Sequence, residues 1–150
     1  MKATPIILVV DDDAGHALLV RENLREAGVT QEIHHFKDGQ AVLDFLFTRA
    51  PGDPLPEGQT YLMLLDIRMP KVDGIAVLRK VKADQELRKL PIIMLTTTDD
   101  PREVERCHQL GCNAYVHKPV NHERFAQTLR QLGGLIQFAL FPSVRIQRDT

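Results

Sequence analysis

The chain has 150 residues, 43% of them hydrophobic and 26% charged, with a formal net charge of −1. That length suits one domain around one core, and the charge balance excludes a global attraction to nucleic acid or to an anionic membrane. No apolar run is long enough to span a bilayer, and the run at residues 6–10 ends at once in Asp11-Asp12-Asp13 rather than in a small-residue cleavage site, so the expected location is the cytoplasm.

Ile6-Ile7-Leu8-Val9-Val10 is apolar on both faces, as a buried parallel strand should be. Residues 14–27 follow with Ala17, Leu18, Leu24 and Ala27 at helical spacing, and Gly28 is a natural stop. Residues 32–36 read as a weaker strand. Residues 39–48 read as a helix with Ala41, Val42, Phe45 and Leu46 inward and Asp38 as its cap. Residues 50–60 carry Pro51, Gly52, Pro54, Pro56 and Gly58, a composition that continues neither a helix nor a central strand and predicts a loop.

Residues 61–65 form the second fully apolar strand, and Asp73-Gly74 opens a helix toward Ala83. Residues 90–96 are a third apolar strand. Pro101 starts a helix that ends near Gly111, residues 114–117 make a short last strand, and Asn121 caps a last helix that buries Phe125, Leu129, Leu132 and Ile136. Five strands alternating with five helices predict a doubly wound parallel sheet with helices on both faces. The domain is expected over residues 1–134, with 135–150 as a C-terminal extension and no output domain.

Cys107 and Cys112 are spaced neither as C-x-x-C nor as a repeated ligand pair, which favours reduced thiols near a helix end over a zinc site with His108 or His117. The histidines show no metal spacing. His16, just after Asp13 and near the acidic residues, is assigned a surface or structural role with the others.

In open parallel sheets the working groups gather beyond the carboxyl ends of the strands. Here those ends carry Asp11 and Asp12, then Asp66, then Thr96, and the last strand leads into Lys118. Hard oxygen donors of this kind suit Mg²⁺ or Mn²⁺. Carboxylates about 4 Å apart repel by roughly 4 kcal/mol per pair at an effective dielectric near 20, which a dication and Lys118 would relieve. The same charges would neutralise an incoming phosphoryl group, and Asp66, at the end of a rigid apolar strand, is the best nucleophile.

Val9-Val10-Asp11-Asp12, the run from Leu64 through Asp66 and Met69-Pro70 to Asp73-Gly74, Pro91 through Thr96, and Lys118-Pro119 together resemble the receiver domain of two-component response regulators. The resemblance covers nearly the whole chain, with all four motifs in the family's order and spacing. It implies a flavodoxin-like sheet of order 2-1-3-4-5 and phosphorylation of Asp66 by a sensor histidine kinase. It implies metal ligation by Asp12, Asp66 and the backbone carbonyl of Arg68, with Asp11 acting largely through water. It implies that Thr96 and Lys118 contact the phosphoryl group and that Tyr115 is a switch aromatic that turns inward when Thr96 moves. It also implies a cis peptide before Pro119. Arg68 and Thr97 depart from common family members and are expected to alter access of water to the acyl phosphate.

The apolar tail Leu135-Ile136-Gln137-Phe138-Ala139-Leu140-Phe141 predicts an interface, taken to be a homodimer built with the last strand and helix. The proline-rich loop and this tail are similar to a stand-alone subgroup paired with phytochrome-type kinases, which makes such a kinase the expected donor. Two alternatives stand beside this reading. A Mg²⁺-dependent aspartyl-phosphate phosphatase usually needs an acid where Arg68 stands. A phosphorylation-independent binding module usually lacks one of the acidic or lysine positions, all kept here.

Overall fold

The computed structural model describes residues 5–47, 59–139 and 141–142. Five strands, β1 (Ile6–Val10), β2 (Ile33–Phe36), β3 (Tyr61–Leu65), β4 (Ile92–Thr96) and β5 (Ala114–His117), form one parallel sheet in the order β2-β1-β3-β4-β5. Between and after them lie α1 (Ala14–Glu26), α2 (Gly39–Phe47), α3 (Gly74–Ala83), α4 (Pro101–Leu110) and α5 (His122–Phe138). This is the expected flavodoxin-like, doubly wound sheet of order 2-1-3-4-5. Most of the loop expected over 50–60 lies outside the described residues.

The two-residue period of the strands divides the core. Ile7, Val9, Leu62 and Leu64 face α1 and α5, where they meet Val20, Leu24, Phe125, Leu129 and Ile136. Leu8, Val10, Met63 and Leu65 face the other way, onto Val42, Leu46, Val77, Leu78 and Val81. Because both faces of β1 and β3 are buried, both strands are apolar at every position. In α1 the buried set is Ala17, Val20, Asn23 and Leu24, whereas Leu18 is 54% exposed, so Leu18 does not join the core as its spacing suggested. Phe45 is half-buried and lies against Phe36 and Tyr61.

The helices begin where the sequence supplies caps. Asp13, Asp73, Asp100 and Asn121 each accept a backbone N–H of the first turn, and Asp38 Oδ1 accepts from Ala41 at 2.8 Å. Gly111 closes α4 at φ 106°. Strand β4 starts at Ile92, two residues later than expected, because Leu87–Lys89 forms a 3-10 turn and Asn113 clamps the new start through its Oδ1 on the Ile92 N–H at 2.8 Å. Helix α5 runs through Gly133 and Gly134 to Phe138, so the first four residues of the expected tail are its last turn. Cys107 and Cys112 are buried free thiols. Among the described residues no helix is long and apolar enough to cross a membrane.

The turn after β3 is set by a close approach. A Cβ on Gly74 would lie 2.0 Å from the Asp66 carbonyl oxygen, whereas one on Gly134 would meet nothing within 4 Å. Gly74→Ala is therefore expected to lower stability by about 3 kcal/mol and to shift the Asp66 backbone. Gly134→Ala, in a helix, should raise it by about 0.5–1 kcal/mol. Denaturant unfolding of both variants checks the pair, and similar midpoints would contradict it.

Candidate functional site

Each expected side chain of the acidic crevice hangs from the carboxyl end of a strand or from the segment just after it. Asp11 and Asp12 follow β1, Asp66 follows β3, Thr96 ends β4 and Lys118 follows β5. The parallel register holds these ends level, and the Asp66 N–H extends the ladder by donating to the Val10 carbonyl at 3.0 Å. Carboxylate oxygens of Asp11, Asp12 and Asp66 all lie within 4.8 Å of one another. Asp11 is buried, Asp66 partly so, and Asp12 is exposed.

Lys118 is 1% exposed, rare for a lysine without anionic partners. Its Nζ donates to Asp11 Oδ2 and, at 3.2 Å, to Asp66 Oδ2. The second oxygen of Asp66 accepts the Ile67 N–H at 2.8 Å. Burial raises the Asp11 carboxyl above its ordinary value, against the lowering pull of Lys118. The peptide before Pro119 is trans, since no cis bond occurs among the described residues. That corrects the expectation of a cis bond: the lysine is aimed by its backbone N–H, which donates to the Thr96 carbonyl at 2.7 Å, and its flexible stem spans the rest.

The Thr96 hydroxyl is buried at the same mouth, and Oγ1 has no hydrogen-bond partner among the described residues, a condition shared by Gln31 Oε1 and Thr60 Oγ1. An unpaired buried hydroxyl costs about 1–3 kcal/mol, so Thr96 suits a ligand that brings an acceptor. Tyr115 packs against the core beside α3 and α4, and its hydroxyl donates to the Thr98 carbonyl at 2.8 Å. Thr98 in turn donates to Glu103 of α4 at 2.8 Å. The chain of contacts thus runs from the end of β4 through Thr98 to Tyr115 and α4.

Arg68 stands two residues past Asp66 with its side chain exposed, and Thr97 is exposed beside Thr96. Arg68 also lines an open cavity of about 540 Å³ with Asp12, Met69, Asp73, Glu103 and Arg106. The oxygen-only donor set of Asp11, Asp12 and Asp66 fits a hard dication such as Mg²⁺ or Mn²⁺.

Three residues of this neighbourhood escaped the sequence reading as participants: Thr98, Glu103 and His16. Nothing in the sequence marks the first two, which act through one carbonyl and one helix contact. His16 stands close to the acids in sequence, but its spacing marks only a surface or structural role. It lies in the first turn of α1, where helical side chains lean back toward the strand ends, and that lean is the signal that singles it out.

A family model described as the response regulator receiver domain matches residues 7–130. A receiver domain from Rhodospirillum rubrum is 38% identical, with a TM-score of 0.82 over 96% of this chain and 99% of that one. The Mn²⁺-bound form of response regulator Rcp1, from Synechocystis sp., is 27% identical, with a TM-score of 0.82 over 93% of this chain and 99% of that one. The phosphorylated cyanobacterial phytochrome response regulator RcpA is 26% identical, with a TM-score of 0.83 over 94% of this chain and all of that one.

Burial pushes the Tyr115 phenol up to about 12, from an ordinary value near 10. Between those values the folded chain keeps a proton that the unfolded chain has lost. The contribution is therefore intact below pH ~10 and is lost as pH rises toward ~12. Tyr115→Phe should lose less stability across that window in denaturant unfolding at rising pH. Identical alkaline profiles for the two proteins would contradict the burial of this hydroxyl.

Proposed function

The chain belongs to the response regulator receiver domain family, and on that footing we propose that it is a signalling switch that accepts a phosphoryl group on Asp66 from the phosphohistidine of a sensor kinase. One observation carries the reading: a buried ammonium, Lys118, bridges Asp11 and Asp66, which with Asp12 form a compact oxygen cluster at the strand ends.

In the transfer, an Asp66 carboxylate oxygen attacks phosphorus, the bond to the imidazole nitrogen breaks, and the ring leaves with that electron pair. Oδ1 is tied to the Ile67 N–H and Oδ2 faces Lys118, so the nucleophile meets phosphorus in one orientation. A dication held by Asp11, Asp12, Asp66 and the carbonyl of Arg68 would screen the charge on the phosphoryl oxygens. Lys118 pairs with one phosphoryl oxygen, and the unpartnered Thr96 hydroxyl donates to another.

The acquired charge, about −1.5 to −2, draws Thr96 toward the site. Thr96 is two residues from the Thr98 carbonyl that holds Tyr115, so this movement reaches the surface of α4, β5 and α5. A coupling of about 1–3 kcal/mol is enough to shift a partner equilibrium. We place this action in the cytoplasm and its output in protein–protein contact. The likeness to RcpA supports a phytochrome-type kinase as donor.

A homodimer through the end of α5 is part of the same proposal, supported by Leu135 and Phe138, which are 61% and 81% exposed on its last turn. Ile136 and Phe141 instead pack onto their own domain: Ile136 is 2% exposed, and Phe141 is partly buried against the same core cluster.

The experiment is incubation with Mg²⁺ and a small phosphodonor, followed by mapping of the modified residue and mass in solution. The expected result is one phosphoryl group on Asp66, none in Asp66→Asn, and a dimer mass that Leu135→Glu with Phe138→Glu reduces to monomer. No labelling would favour a binding module, multiple turnover of a phosphomonoester would favour a phosphatase, and an undiminished mass would remove the dimer.

A further inference from the structure

His16 has no part in the transfer described above, yet it touches the central cation. Its Nδ1 stands 3.2 Å from Lys118 Nζ. An ammonium has three N–H bonds and no acceptor. Before phosphorylation, Asp11, Asp66 and His16 therefore take up the full donor set of Lys118, and the N–H on Asp66 is the one an arriving phosphoryl oxygen would take over. Nδ1 must accept, which puts the ring proton on Nε2, and Nε2 faces Asp13 Oδ2 at 3.7 Å.

The ring is held from several sides. The His16 backbone N–H donates to Asp13 Oδ1 at 3.1 Å, which fixes the start of α1. Phe125 of α5 meets the imidazole edge to face at 5.8 Å between centroids. Such support suits a group that orients another group rather than a solvated surface histidine.

We propose that His16 is a positioning residue for phosphoryl transfer, its Nδ1 lone pair holding the Lys118 ammonium between Asp11 and Asp66 where a phosphoryl oxygen arrives. This rests on the reading of Asp66 as the acceptor. Lys118 reaches the site on a flexible stem, with Asp11 and Asp66 as its other two partners. Without the third partner the ammonium loses its fixed place between the two carboxylates.

Two substitutions separate positioning from space filling. His16→Asn keeps an acceptor, because Asn Oδ1 lies two bonds from Cβ as Nδ1 does. His16→Leu keeps bulk and removes the acceptor. With Mg²⁺ and a small phosphodonor, His16→Asn should be labelled at close to the wild-type rate and His16→Leu about tenfold more slowly.

In the unphosphorylated proteins, the Lys118 ammonium signal in a nitrogen-edited spectrum should persist in wild type and His16→Asn and be lost to fast exchange in His16→Leu. Equal spectra, or equal labelling rates for the two variants, would overturn the role of His16, as would a faster His16→Leu. A wild type that keeps the ammonium signal with this pattern but takes no label would remove Asp66 as acceptor and leave the contact standing.

Discussion

The site depends on one cation placed among carboxylates. Asp11 is buried and Asp66 nearly so, and two such groups beside Asp12 repel strongly in a partly dry crevice. Lys118 offsets that repulsion, and it does so from the far end of the chain, after β5. The sheet order is what brings these groups together. With β3 central between β1 and β4, and with β2 and β5 on the outside, the acids and the lysine gather at the carboxyl ends of the strands. Two packed faces then fix the strands so that the charges cannot move apart.

The same geometry connects chemistry to surface. Thr96 presents its hydroxyl to the crevice while its carbonyl takes the Lys118 N–H, so the two groups that would meet a phosphoryl oxygen share a backbone bond. Two residues on, Thr98 receives the Tyr115 hydroxyl and binds Glu103 of α4. A small shift at the end of β4 therefore has few places to go other than Tyr115 and α4. The approach of Gly74 to the Asp66 carbonyl removes a further direction of escape, because the start of α3 is packed directly against the acceptor's backbone.

Much of this was legible in the sequence because buried parallel strands are apolar at every position and because four motifs at strand ends carry the charge. The limits of β1 and β3 follow from that pattern. What the sequence hid has identifiable causes. Gly133 and Gly134 are poor helix formers, yet Gly133 serves the approach of α5 to α1: a Cβ there would lie 2.7 Å from the Ala27 Cβ. The helix therefore continues, and Gln137 ties its last turn to the Ala27 carbonyl at 2.6 Å. Leu90 looked like strand but ends a 3-10 turn whose carbonyl is taken by Lys82. His16 looked like a surface residue because only the fold brings α1 over Lys118.

The claim beneath all of this is that Asp11, Asp12 and Asp66 form one dication site next to Lys118. Titration with Mn²⁺, followed by paramagnetic broadening of backbone amide signals, tests it most directly. The account predicts that residues around Asp11, Asp12, Asp66 and Arg68 broaden first and together, that Mg²⁺ reverses the effect, and that Asp12→Ala weakens the affinity at least ~10-fold. Broadening scattered over the surface, or unchanged by Asp12→Ala, would contradict it.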